Sequence, residues 1–128
     1  MSYYFSKIVS DDFDMAVSKV AKELAKEGFG ILSEIDVQQI LKKKLDVSFR
    51  KYKIFGACNP PFAYEALLAE DMIGTMLPCN VIVRERENGQ IVVAAVDPVA
   101  SMKAIENNHL REIAEKVREK LKKVILQL

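Results

Sequence analysis

The sequence contains no tryptophan, a single histidine and only two cysteines among its 128 residues. Two cysteines are too few for the disulfide framework of a small secreted domain, so we expect reduced thiols and a cytoplasmic location. Any Ser/His or Cys/His arrangement would have to use His109. We expect that residue in the first turn of the last helix, where the helix dipole disfavours a charged imidazole, and we therefore predict a capping or surface role for it.

The sequence also lacks an excess of charge of one sign, with 19 basic and 18 acidic side chains. This balance argues against nucleic acid as a partner, because nucleic-acid binders usually carry a strong positive field. We also expect no membrane partner, since no apolar run approaches the roughly 18 to 20 residues of a membrane span and the N-terminus does not resemble a signal peptide. Half of the residues are hydrophobic, which predicts one folded domain over residues 1–128.

Familiar catalytic motifs are absent as well: there is no Gly-rich phosphate loop, no Gly-x-Ser-x-Gly segment, and no His-Glu-x-x-His or Cys-x-x-Cys spacing. What the sequence does contain is clear hydrophobic periodicity with turn residues between the apolar segments. The pattern predicts the element order β-α-β-α-β-α-β-β-α-α. We therefore expect an α+β fold, a two-layer sandwich with helices on one face of a five-stranded, mostly antiparallel sheet.

Asn88-Gly89, between two apolar runs, predicts a two-residue type I′ hairpin. That turn pairs Val83 with Ala94 and places the core face at Val81, Val83, Val92, Ala94 and Val96. The opposite face then carries an apolar patch edged by arginines, and such patches often mark a protein partner. We expect a homodimer, with an interface formed by Ile82, Arg84, Ile91, Val93 and Ala95.

The two cysteines are the strongest candidates for chemistry. Cys58 ends a predicted strand and precedes a predicted helix start at Asn59-Pro60, where the helix dipole favours a thiolate. Cys79 opens the fourth strand. The alternative is that both are small buried hydrophobic residues. The thiols meet only if the two strands are antiparallel, since a parallel arrangement separates them by about 20 Å.

Three segments resemble the bacterial and archaeal family catalogued as domain of unknown function 302: residues 56–60 (Gly-Ala-Cys-Asn-Pro), residues 77–81 (Leu-Pro-Cys-Asn-Val) and Asp97-Pro98. The resemblance covers nearly the whole chain. It implies a small α+β domain that often self-associates, but it does not indicate an activity, and any cofactor stays unknown. Tyr64 stands where many members of the family carry histidine, which counts against a Cys/His metal or catalytic site.

Three functional hypotheses follow. The first is a non-enzymatic, homodimeric module that binds a small ligand or a soft metal ion such as zinc or copper(I). Its ligand-binding residues would be Cys58, Asn59, Tyr64, Cys79 and Asn80, with Cys58 and Cys79 as the metal ligands. The second is a thiol-dependent enzyme or redox sensor with Cys58 as the nucleophile. The third is a structural or adaptor domain without a small-molecule site.

Overall fold

Five β-strands form a single open sheet in the computed structural model, which describes residues 2–128. The sheet order is β1-β5-β4-β3-β2, and each neighbouring pair is antiparallel. This confirms the predicted α+β class and five-stranded sheet. The strands are β1 (Tyr4–Val9), β2 (Gly30–Asp36), β3 (Tyr52–Cys58), β4 (Cys79–Glu85) and β5 (Ile91–Val96).

Helices connect the strands in the predicted order, with one addition. The addition is a 3₁₀ helix, Asp71–Met76, between the third helix and the fourth strand, and the helix after Asp97 is short and ends at Ser101. None of the helices in residues 2–128 is long and apolar enough to cross a membrane. The α-helices are α1 (Phe13–Lys26), α2 (Val37–Leu45), α3 (Pro60–Ala69), α4 (Pro98–Ser101) and α5 (Asn108–Leu126).

The hydrophobic core lies between the sheet and the two long helices, α1 and α5. Both helices have a single apolar stripe, and each begins at a side-chain cap: Asp12 accepts a hydrogen bond from Met15 N, and Asn107 accepts one from Leu110 N. The stripes bury residues such as Leu24 and Leu121 against alternate residues of the central strands. Those alternate residues are Phe55, Ala57, Val81, Val83, Ile91, Val93 and Ala95.

The turn between β4 and β5 differs from the predicted two-residue hairpin. The Arg86 carbonyl accepts a hydrogen bond from Gly89 N–H, and Arg86 N–H donates to the Gln90 carbonyl. The loop therefore has three residues, 87–89. Gly89 is its left-handed residue, at φ +85°, which is the geometry of a type I turn followed by a bulge. Val83 consequently pairs with Val93 and not with Ala94.

This one-residue shift moves every side chain of β5 to the opposite face of the sheet. Val93 is 0% exposed, and Ile91 and Ala95 are buried in the same core. The assignment of Ile91, Val93 and Ala95 to a dimer interface is therefore wrong, because these side chains pack under the helices. Ile82 and Arg84 do lie on the face away from the core, opposite Ala94 and Val92.

Candidate ligand cavity at the ends of β3 and β4

The antiparallel pairing of β3 and β4 brings their cysteine-bearing ends to the same edge of the sheet. Cys79, the first residue of β4, pairs with Ala57, and Cys58 is the next residue of β3. Cys79 is buried and Cys58 is half-buried. Of the two strand directions considered from the sequence, this is the one that places both cysteines at one end. Both residues line the same cavity.

The cavity has a volume of about 300 Å³ and lies between α3, α5 and the ends of β3 and β4. Its walls are almost entirely hydrocarbon, and they come from segments far apart in the sequence. Beside the two cysteines and Asn59, the larger side chains that line it are Phe29, Leu32, Phe62, Leu67, Leu77, Pro78, Pro98, Met102, Leu110, Ile113 and Val117. A space of this composition suits an apolar molecule better than a polar one.

Asn59 links the start of α3, beside the cavity, to the end of α1. It occupies the N-cap position of α3, as expected, but its side chain makes no capping hydrogen bond. Its amide nitrogen instead donates to the Glu27 carbonyl at 3.0 Å. Pro60 and Pro61 lack backbone N–H groups, so the N-terminus of α3 offers fewer donors to a nearby anion than most helices do.

The thiol of Cys79 is a weak acid in this environment. Burial, and to a lesser extent repulsion from Cys58, raises the pKa of Cys79 to about 11. Cys79 is therefore protonated at neutral pH. A thiol in that state acts as a small, polarisable part of an apolar wall.

Two of the five ligand-binding residues predicted from the sequence lie away from the cavity. Asn80 is exposed and pairs with Gly56, so strand alternation places it on the face away from the core. Tyr64 is 65% exposed on α3. The other three, Cys58, Asn59 and Cys79, line the cavity. His109 is on the surface of α5, with Nδ1 3.9 Å from Glu112.

Most of the cavity wall was not foreseen as part of a site. Ile113 and Val117 belong to the apolar stripe of α5, and that stripe predicts only that they face inward. Nothing in the sequence distinguishes a filled space from an empty one beside them. Across residues 2–128, no cluster of three or more His, Cys, Asp or Glu side chains is arranged to hold a metal ion.

The helix α3 forms the outer wall of the cavity and is exposed on its other side. Ala66 is its one buried residue, while Leu67 and Leu68 are exposed. An amide holds each end of the helix: Asn59 at the start, and Asn107 at the end, where Nδ2 donates to the Ala69 carbonyl at 2.8 Å. Phe62 and Ala69 are partly buried against the core, so the wall is held at its ends and along its inner side.

Comparison with known proteins identifies a family and a solved structure with the same architecture. A family model described as "Domain of unknown function DUF302" matches residues 5–128. The chain belongs to the DUF302 family. The DUF302 chain is also similar to the crystal structure of an uncharacterized conserved protein DUF302 from Bacillus stearothermophilus, with a TM-score of 0.92 and 25% sequence identity over 99% of this chain and 98% of that one. No curated protein matches it significantly.

Proposed function

We propose that this DUF302 domain is a non-enzymatic binding module that holds a small apolar molecule between α3 and α5, against Cys58 and Cys79. The observation that carries the proposal is the hydrocarbon-lined cavity of about 300 Å³. Well-packed interiors contain few voids larger than a water molecule. An apolar ligand that fills such a space recovers contacts that its walls otherwise lack.

The cavity is open to the surface beside α3, which provides a route for the ligand. The helix itself packs against the core through Phe62, Ala66 and Ala69. The hydrogen bonds of Asn59 and Asn107 hold both of its ends. Leu32 and Leu67, both exposed and both part of the cavity lining, form an apolar rim for an entering molecule.

Binding of a soft metal ion has less support than binding of an apolar molecule. It would rest on Cys58 and Cys79 without a third Cys, His, Asp or Glu nearby in the described chain. The metal would also have to displace the proton that burial favours on Cys79. Thiol catalysis at Cys58 would gain little from α3, whose first two residues are prolines. Self-association stays a prediction, now restricted to Ile82 and Arg84 of the five interface residues named from the sequence.

A titration with naphthalene tests the proposal, using ¹⁵N-labelled protein and two-dimensional NMR. We expect saturable shifts at the amides of Leu77, Ile113 and Val117, which line the cavity. The variant Ala66→Leu places extra volume in the cavity wall and should weaken binding by about tenfold, a free-energy change of about 1.4 kcal/mol. A second filling variant, Ala63→Leu, should act in the same direction.

The matched control is Ala25→Leu, which makes the same substitution at an exposed position of α1. It should leave the affinity for naphthalene unchanged. Equal affinity of the wild type, Ala66→Leu and Ala63→Leu proteins, with both variants folded, would overturn the proposal. So would the absence of saturable shifts at the cavity amides of the wild-type protein.

A further inference from the structure

Arg84 lies on the sheet face opposite the core, and its side chain has a buried donor without an acceptor. Its guanidinium stacks on the Tyr52 ring, 5.4 Å from the centroid. Its Nε is the one buried side-chain polar atom in residues 2–128 that has no hydrogen-bond partner. The Nη2 atom reaches only the neighbouring Glu85 carbonyl, at 3.5 Å. A buried donor without an acceptor is destabilising, so a ligand that supplies an acceptor gains free energy there.

We infer that this face is a second binding site, independent of the cavity, for a small organic anion with an apolar body. The groove around Arg84 has a volume of about 390 Å³ and includes Tyr4, Tyr52, Ile82, Arg86 and Ala94. A carboxylate would pair with the Nε and Nη edge of Arg84, the geometry in which guanidinium groups bind carboxylates in a bidentate manner. The apolar body would lie on Ile82 and Ala94.

The charge of the face favours an anion over a neutral molecule. Arg86 follows Arg84 by two residues and lines the same groove. Neither arginine forms an ion pair within the described part of the chain. No acidic side chain lines the groove. Two guanidinium groups without a counter-charge, above an apolar floor, select a ligand that combines negative charge with apolar surface.

The Arg84 side chain must move slightly for this contact, because Nε is shielded from solvent. The Arg84 side chain is held weakly enough to move. Its only interactions observed are the contact of the guanidinium with the Tyr52 ring and a 3.5 Å hydrogen bond to the Glu85 carbonyl. The NMR signal of the Arg84 Nε–Hε group therefore reports carboxylate binding directly in the wild-type protein. A bound carboxylate gives that proton an acceptor and shifts its resonance.

The experiment titrates ¹⁵N-labelled wild-type protein with 2-naphthoate and, separately, with the neutral 2-naphthalenemethanol. We expect a saturable shift of the Arg84 Nε–Hε signal with 2-naphthoate and an affinity about tenfold lower for the alcohol. Arg84→Gln, checked for folding by its amide spectrum, should reduce 2-naphthoate binding to the level of the alcohol. Arg111→Gln, at an exposed arginine of α5, should leave it unchanged.

Three results would overturn the inference. The first is equal affinity for the two probes, which would remove the role of charge. The second is a set of 2-naphthoate shifts confined to Leu77 and Ile113, which would place the anion in the cavity. The third is a dimer in sedimentation experiments whose Arg84 signal does not respond to 2-naphthoate, because a second copy of the chain would then occupy the face. Naphthalene binding in the cavity is measured separately, so either site can fail alone.

Discussion

The side-chain amide of Asn59 donates a hydrogen bond to the main-chain carbonyl of Glu27, at a distance of 3.0 Å. This contact links the start of α3 to the turn that ends α1, across 32 positions of sequence. Gly28 makes the turn with φ +88°, and a Cβ at that position would lie 3.2 Å from Asn59 Nδ2. Asn59 therefore acts in this structure as a tether between the start of α3 and the turn after α1, next to Phe29, which lines the cavity.

The tether predicts an unusual response to isosteric substitution. Asn59→Asp replaces the donating amide with a carboxylate that faces the Glu27 carbonyl oxygen, so we expect it to destabilise the protein by about 2–3 kcal/mol at pH 7. Asn59→Ala should cost about 1–2 kcal/mol, since it leaves the carbonyl unpaired without adding a charge. Urea denaturation measures both values.

The control for this pair is Asp12→Asn at the start of α1. The Asp12 side chain accepts from Met15 N at 2.8 Å, and asparagine offers the same acceptor, so the change should stay within about 0.5 kcal/mol. If Asn59→Asp were as stable as the wild type, the side chain would be serving as an acceptor cap, and the tether would not exist.

Gly56 predicts a packing effect at the edge of the cavity. A Cβ on Gly56 would contact Ser33 Oγ and lie 2.7 Å from Pro78 Cγ. The proline ring is rigid, so Gly56→Ala should destabilise the fold by about 1–3 kcal/mol through overpacking. Gly74→Ala is the matched control because no atom lies within 4 Å of its added Cβ. Equal midpoints of thermal unfolding for the two variants would contradict the crowding at Gly56.

Cys79 predicts a loss of stability at alkaline pH. Burial raises the pKa of this thiol from an ordinary value near 9 to about 11. Between these two pH values the unfolded chain has lost the Cys79 proton while the folded chain retains it, so raising the pH favours unfolding. The free energy of unfolding should fall across this window by about 2–3 kcal/mol more in the wild type than in Cys79→Ala.

The Cys58→Ala variant separates the two causes of this shift. Burial is the larger cause and repulsion from Cys58 the smaller, so Cys58→Ala should keep most of the alkaline loss. Denaturant titrations at pH 8 and pH 11 provide the comparison. The same pH dependence in wild type and Cys79→Ala would show that this thiol ionises equally in the folded and unfolded chain.

Local signals in the sequence were sufficient for the fold but not for the hairpin register. The end of β3 at Cys58 agrees with the prediction, because the Asn59-Pro60 segment that follows begins a helix. Asn88-Gly89 is compatible with a two-residue turn and also with a three-residue loop that has a left-handed glycine. The second is found, with Gly89 at φ +85°. That single difference decided which face Val93 occupies.

The candidate site was predictable only in part, because local signals do not fix which face a side chain occupies or how helices pack. Two Cys-Asn segments at strand ends predicted a site there, and three of the predicted residues, Cys58, Asn59 and Cys79, line one cavity. Strand alternation carries Asn80 to the other face. The empty volume depends on how α3 and α5 pack, and an apolar stripe contains no information about space left between helices.

The most direct test of the cavity proposal is a search for intermolecular nuclear Overhauser effects between naphthalene and the methyl groups of the protein. Our account predicts contacts to Leu77, Ile113 and Val117, which line the cavity. Contacts confined to Ile54 and Ile82, which pair on the open face of the sheet, or no contacts at all at saturating naphthalene, would contradict it.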